Sequence, residues 1–484
     1  MTRMSTASGV FWSVVDSGSG QALSFAIFLI LARIITPEEY GTFALAGSFT
    51  CFGFYLMQGL APAVVQRGWI GEEHTSTAFW TSLAIGAVFA AVMAASAGWL
   101  AALFQNPMLA PVLRWMSLVC LPMALASIPM ALFRRDLRMS AFALRTVAGY
   151  AVGGAISISL AMNGFGVLAL AFGQIAQWVT TVLVIYAASS WRPKCRFSLP
   201  IFFDLGRYSV HYIAAMAVGF VTSKMDMWIL ALFLDVRSLG YYALALRLLE
   251  AVGAATILPI QRLALPLLSP LRSAPAEFHA QYRRLVIGAT SAWLPAVAGI
   301  GVISAMMIPI AFGDKWMDSI SVVQAMCLSA FTYSLTAFTG EALSASGRPD
   351  VFSKLEILRL AATMVVFAIA APLGIIAAGL AWSILPAAVL PFHLIALRKT
   401  SGFAPARLLA EWSKVAASGA VMAAAILIVD RFGPFGWWVP AAEIAMGAAF
   451  YALMLDRIML PGCIIRHIRR GLGSVPAFAS QVKR

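Results

Sequence analysis

Apolar runs of about 20 to 30 residues follow one another along almost the whole chain, each long enough to cross a bilayer as a helix. They lack the period-two alternation of a membrane barrel. Short clusters of Gly, Pro, Arg and acids separate them. The pattern predicts an all-α, polytopic membrane protein with spans at 9–33, 41–66, 77–103, 108–132, 141–162, 165–189, 208–234, 239–268, 284–311, 320–346, 352–371, 374–397, 412–430 and 435–456. Two links are only a dipeptide long, Asn163-Gly164 and Pro372-Leu373, and twelve spans is the alternative count if either pair, or the last two helices, reads differently. Two further stretches, Leu199–Tyr208 and Ala276–Leu285, read as helices lying in the membrane interface.

The first link contains Thr36-Pro37-Glu38-Glu39, a helix start: a Thr cap, Pro in the first turn, then acids at the positive end of the dipole. The stretch around it, Ala32 to Ala46, aligns without a gap on Ala231 to Ala245. Ala32 pairs with Ala231, Gly41 with Gly240, and Ala44-Leu45-Ala46 with Ala243-Leu244-Ala245. A Gln-Arg pair follows each copy, Gln66-Arg67 and Gln261-Arg262. The expected organisation is a parallel repeat. It comprises an N-terminal six-helix lobe (1–190), a cytoplasmic linker (191–207) and a second six-helix lobe (208–398), then two additional spans (399–457) and a basic tail (458–484). Pro62 and Pro259 fall at nearly equivalent places in the two halves, either as points where the helices bend or as prolines that a transmembrane helix tolerates.

Charge orients this stack. Links after even-numbered spans carry most of the Lys and Arg, including Arg134, Arg135, Arg192, Lys194, Arg272 and Arg398. Links after odd-numbered spans hold only Arg33, Arg237, Lys315 and Arg431, against six acids. By the positive-inside rule both termini are expected in the cytoplasm. The net charge of +14 is therefore mostly topological, and basic loops touching anionic lipid are expected rather than nucleic acid. Over the 484 residues, 61% are hydrophobic and 11% charged, and the mean hydropathy is +0.87. That composition excludes a soluble fold. The five cysteines are scattered without metal-ligand spacing, and the five histidines are isolated, so neither a metal site nor a cofactor is expected.

Ionisable residues inside spans are costly, at least ~2.5–3.5 kcal/mol each, and mark function or pairing. Arg114, Lys224 and Arg247 fall at similar depth on helices from both halves, where they would line a water-filled cavity and hold an anion. The alternative is structural: Arg247 with Glu250 three residues on, Asp226 with a neighbouring span, Arg114 at the interface. Lys224 and Asp226, two apart, point to opposite sides of one helix. Asp16, Asp226, Glu250 and Glu341 are candidates for coupling or gating, with structural roles as the alternative. Gln21, Gln58, Gln174 and Gln177 would meet sugar hydroxyls in a polar cavity, or serve helix–helix bonding.

Three stretches carry a family likeness: Leu31 to Gly41 with Val65-Gln66-Arg67; Phe133 to Arg138 leading into Asn163 to Leu170 and Gly173-Gln174; and Lys224-Met225-Asp226 followed by Leu239 to Ala245 and Arg247. They resemble the Wzx-type polysaccharide repeat-unit flippases, near the colanic-acid-exporter branch of the superfamily that also holds multidrug antiporters. The likeness covers most of the N-terminal 270 residues. It implies a two-lobed bundle with a central, often cationic cavity. It also implies translocation of an undecaprenyl-diphosphate-linked oligosaccharide to the periplasmic leaflet by alternating access. Coupling to H+ or Na+, and work alongside a polymerase or export machinery, follow from the same likeness. Arg114, Lys224 and Arg247 map onto its cavity positions. An ion-coupled small-molecule exporter of the same fold is the alternative. A polytopic polysaccharide-processing enzyme would need a large periplasmic loop or clustered catalytic residues, and the chain displays neither.

Overall fold

Thr36 caps the second helix as its sequence signal predicts. Its hydroxyl accepts from the Glu39 N–H at 3.3 Å, and the Glu39 carboxylate accepts from the Thr36 N–H at 2.8 Å. This reciprocal box satisfies two otherwise free donors at the helix start. The structure is a computed structural model that describes residues 6–66, 71–136 and 139–432. Its α-helices run in order: α1 Thr6–Ile34, α2 Pro37–Met57, α3 Ala61–Gln66, α4 Glu72–Leu103, α5 Leu109–Ser117, α6 Cys120–Arg135, α7 Met139–Met162, α8 Val167–Ala188, α9 Leu199–Phe233, α10 Val236–Leu268, α11 Pro275–Phe312, α12 Ser319–Cys327, α13 Tyr333–Ala337, α14 Thr339–Ala345, α15 Pro349–Ala370, α16 Ile375–Ser401 and α17 Pro405–Phe432. The described residues contain no strand.

Among the described residues eleven spans are long and apolar enough to cross a membrane, and the pair Ser319–Phe331 and Tyr333–Ala345, bent by 57°, makes a twelfth. These correspond to the second through thirteenth expected spans. The first falls on α1, where Gly18–Ile34 is a shorter apolar helix among the described residues. The fourteenth, 435–456, and the basic tail lie outside the described residues. The tenth expected span is thus broken rather than straight. Leu199–Tyr208 and Ala276–Leu285 also differ from expectation: they are the opening turns of α9 and α11, each continuous with its span. The Gly/Pro punctuation at 163–164 and 372–373 does end helices, at Met162 and Ala370.

Pro62 has the local effect its chemistry requires. It has no N–H to offer the carbonyl of Gln58. The helix tightens there into a 3-10 turn over Gln58–Leu60, with the Ala61 N–H taking the Gln58 carbonyl instead. Pro259 sits inside α10 without ending it.

The chain divides into two compact units. The first comprises Met1–Ala251, Ala311–Val322 and Glu356–Ala381. Within it the α5–α6 span is the most enclosed, with 78% of its apolar stretch buried, whereas α4 has 22% buried and presents Val88, Val92 and Trp99 outward. α7 and α8 pack closely along small residues, and the Ser157 hydroxyl donates to the Ala169 carbonyl at 3.1 Å. A side chain on Gly173 would put its Cβ 2.8 Å from the Gly153 carbonyl oxygen. α9 docks on α2 through Trp228, which donates to the Ser48 hydroxyl at 2.8 Å and stacks on Phe49 at 5.5 Å.

The second unit comprises Val252–Ile310, Val323–Leu355 and Trp382–Arg484. Ile303 of α11 packs with Val415, Met422 and Ile426 of α17. Arg283 reaches Glu411 at 3.4 Å, and the Thr290 hydroxyl donates to Ser334 at 2.9 Å. The broken span is pinned by Ser383 of α16, which donates to the Ala325 carbonyl at 2.7 Å.

Gly173→Leu should therefore overpack the α7–α8 contact, costing about 1–3 kcal/mol, and lower the melting temperature of the purified protein in detergent. Gly98→Leu, on an open face of α4 with nothing within 4 Å, should leave it unchanged.

Candidate functional site

A cavity of about 500 Å3 lies within the first unit, walled by α1, α2, α6, α7, α8, α9 and α10. Helical period selects its lining. On α2 the contributors are Tyr40, Phe43, Gly47, Cys51 and Phe54; on α10 they are Ala243, Arg247 and Glu250. Each series follows the three-and-four spacing of one helix face. The wall is aromatic and apolar for the most part, with a polar side made by Ser24, Gln174, Gln177, Lys224, Arg247 and Glu250.

The charged side chains come from the α9–α10 hairpin. Lys224 stands 11 residues before Asp235 and Arg247 stands 12 after it. At 1.5 Å per residue both lie about 16–18 Å from that turn, roughly half the ~30 Å thickness of a hydrocarbon core. Lys224 Nζ is 3.7 Å from Glu250 Oε1. Arg247 donates from Nη2 to the Ser24 hydroxyl on α1. The ion pair is thus Lys224–Glu250, across the hairpin, rather than the local Arg247–Glu250 pair that spacing alone allows. Two cations against one carboxylate leave one formal positive charge among the described lining residues. That arrangement suits an anionic group: the guanidinium offers a planar fork and the ammonium a point charge. The Gln174 Oε1 is buried with no hydrogen-bond partner, an acceptor left open at the cavity wall.

The other candidates are placed elsewhere. Arg114 is on the exposed face of α5 and does not line the cavity. The buried stripe of α5 is Leu109, Val112, Leu113 and Met116, and position 114 falls opposite it. Asp226 is buried on the far side of α9 from Lys224. Tyr242 donates its hydroxyl to Asp226 Oδ2 at 2.6 Å, while Oδ1 is buried without a partner. Gln58 is in the 3-10 turn with both amide atoms buried and unpartnered, and Gln21 is exposed on α1. Glu341 belongs to α14 in the second unit. Asp16 lies in the opening turns of α1, outside the residues whose side chains are described.

Ser24 and Tyr150 are lining residues that charge-based reading passes over. A signal for Ser24 exists: with Ile27, Phe28 and Leu31 it forms one helical stripe.

Near the start of α2 the cavity wall carries an aromatic cluster. Phe28 meets Tyr40 at 5.2 Å and Phe312 at 5.6 Å, and Tyr40 meets the edge of Trp316 at 5.9 Å. Trp316 is fully buried and donates to the Ala32 carbonyl at 2.8 Å. Outside the spans, burial lowers the Lys315 ammonium from the usual lysine value, with the Glu39 carboxylate opposing the shift.

Comparison with known proteins supplies the family. The chain is 28% identical to the succinoglycan biosynthesis transport protein ExoT of Rhizobium meliloti (strain 1021) over 66% of its own length and 65% of ExoT. It therefore matches just under two thirds of that relative. It is 23% identical to the lipopolysaccharide biosynthesis protein WzxC of Escherichia coli (strain K12), covering 74% of this chain and 73% of WzxC. Among solved structures, the lipid II flippase MurJ in its inward closed conformation superposes with a TM-score of 0.74 at 14% identity, over 95% of this chain and 100% of MurJ. An inward-facing multidrug-resistance MATE transporter matches with a TM-score of 0.58 at 15% identity, over 79% of this chain and 95% of its own. These two likenesses establish the fold. A profile described as "Polysaccharide biosynthesis protein" matches residues 30–321, more than half of the chain, and the protein belongs to that family.

Proposed function

We propose that the protein is a flippase that carries an undecaprenyl-diphosphate-linked oligosaccharide from the cytoplasmic to the periplasmic leaflet for cell-surface polysaccharide synthesis. The observation that carries this reading is the cavity in which Lys224 and Arg247 meet an otherwise aromatic wall, in a chain of this family. A diphosphate would pair with the two cations, displacing Glu250 from Lys224 and Ser24 from Arg247. Sugar rings would lie on Tyr40, Phe43 and Tyr150, with hydroxyls meeting Gln174 and Gln177. The relatives bear names from succinoglycan and lipopolysaccharide biosynthesis, which supports a lipid-linked polysaccharide precursor as cargo.

Transport proceeds by alternating access of two repeat-related lobes, 1–190 and 208–398, driven by an H+ or Na+ gradient and working beside a polymerase or export machinery. The protein resides in the inner membrane with both termini in the cytoplasm. No chemical step on the substrate is assigned to it.

Arg247→Ala and Lys224→Ala should each reduce polysaccharide export by about 10- to 100-fold, since one charge-assisted hydrogen bond contributes about 1.5–3 kcal/mol. The amount of membrane-inserted protein should stay at the wild-type level. Normal export in both variants would remove the cavity from the mechanism. Arg114→Ala, off the cavity, should export normally. A reporter fused after Arg484 should be active only as a cytoplasmic fusion; periplasmic activity would overturn the orientation.

A further inference from the structure

The two copies of the sequence repeat meet at their matching glycines. Gly41, near the start of α2, and Gly240, near the start of α10, are both buried. A Cβ on Gly41 would lie 2.7 Å from the Gly240 backbone nitrogen, and a Cβ on Gly240 would lie 2.7 Å from the Pro37 carbonyl carbon. Real Cβ atoms essentially never come so near. Backbone therefore rests on backbone, and both positions admit only glycine at this separation. The contact is reciprocal in the manner of a two-fold interface, because each copy offers the other the same turn of helix.

Weaker links flank this contact. Arg237 Nε lies 3.5 Å from Glu38 and 2.8 Å from the Tyr241 hydroxyl, which in turn donates to Asp318 at 2.9 Å. Glu38 and Arg237 are about half exposed, so this pair contributes little by itself. Lys315 and Trp316 donate to the carbonyls of Arg33 and Ala32. Tyr40, next to Gly41 in the chain, lines the cavity with Phe28 and meets the edge of Trp316.

We infer that Gly41 and Gly240 form a clasp that seals one end of the cavity, and that α2 and α10 must part at these two residues for a substrate to pass that end. The seal depends on steric fit. A side chain on either glycine disfavours the closed state without touching the charged residues of the cavity. Its consequence for export rests on the flippase reading, but the clasp can be tested without a substrate.

Cys51 provides the readout. It lines the cavity ten residues beyond Gly41, about 15 Å along α2. With Cys120, Cys195, Cys327 and Cys463 replaced by Ser, Cys51 is the only thiol left for a membrane-impermeant maleimide, applied to intact cells and to inside-out vesicles. Gly41→Leu and Gly240→Leu should each raise labelling from the outside by about tenfold or more, the ratio produced by a 1.4 kcal/mol penalty on the closed state. Gly98→Leu should not change it. If the leucine variants fail to insert, Gly41→Ala and Gly240→Ala decide, because a Cβ alone suffices for the clash. Equal labelling of wild type and clasp variants on both faces would overturn the clasp. A rise only in inside-out vesicles would keep the clasp and overturn the topology of the flippase reading. Loss of export with no rise in labelling would also overturn the clasp.

Discussion

Helices in a hydrocarbon solvent gain little from hiding apolar surface, because lipid tails are as apolar as leucine. What holds them together is close approach of backbones and a few polar bonds with no water to compete. This chain uses both. α7 and α8 close on each other along Gly153 and Gly173, and α2 and α10 at Gly41 and Gly240. Trp228 ties α9 to α2 through Ser48, and Ser383 ties α16 to the broken span. The cavity exists because such contacts hold its walls while the residues between them stay too bulky or too polar to close the gap.

The same solvent explains the treatment of charge. Lys224 and Arg247 are partnered in the span by a carboxylate at 3.7 Å, beyond hydrogen-bond range, and by a serine hydroxyl. Asp226, two residues from Lys224, has a contrasting environment, buried against Tyr242 and out of the cavity. One helix thus presents a cavity-lining cation on one face and an enclosed acid on the other.

Much of this was legible in the amino-acid order. Hydropathy located the spans, and Thr36-Pro37-Glu38-Glu39 located a helix start whose cap forms as read. The depth of Lys224 and Arg247 followed from counting residues on either side of the α9–α10 turn. Arg114 shows where depth is insufficient: a charge at a suitable height still faces away if the apolar stripe of its helix puts it there. The stripe was present in the sequence, and its period was the better guide. The bend of 57° between Phe331 and Tyr333 had no comparable signal, since no Pro or Gly stands at the break.

The sequence by itself determined the medium, the class of fold and the helix boundaries set by Gly, Pro and caps. These follow from local composition and period, which act within a few turns of chain. Only the tertiary structure decided which partner each charge takes and which faces enclose the cavity. It also decided that the two repeat glycines touch. Several of those outcomes join residues far apart in the chain, such as Gly41 with Gly240 and Ser24 with Arg247, the latter 223 positions apart. At that distance helical period fixes direction along one element but not which element stands opposite.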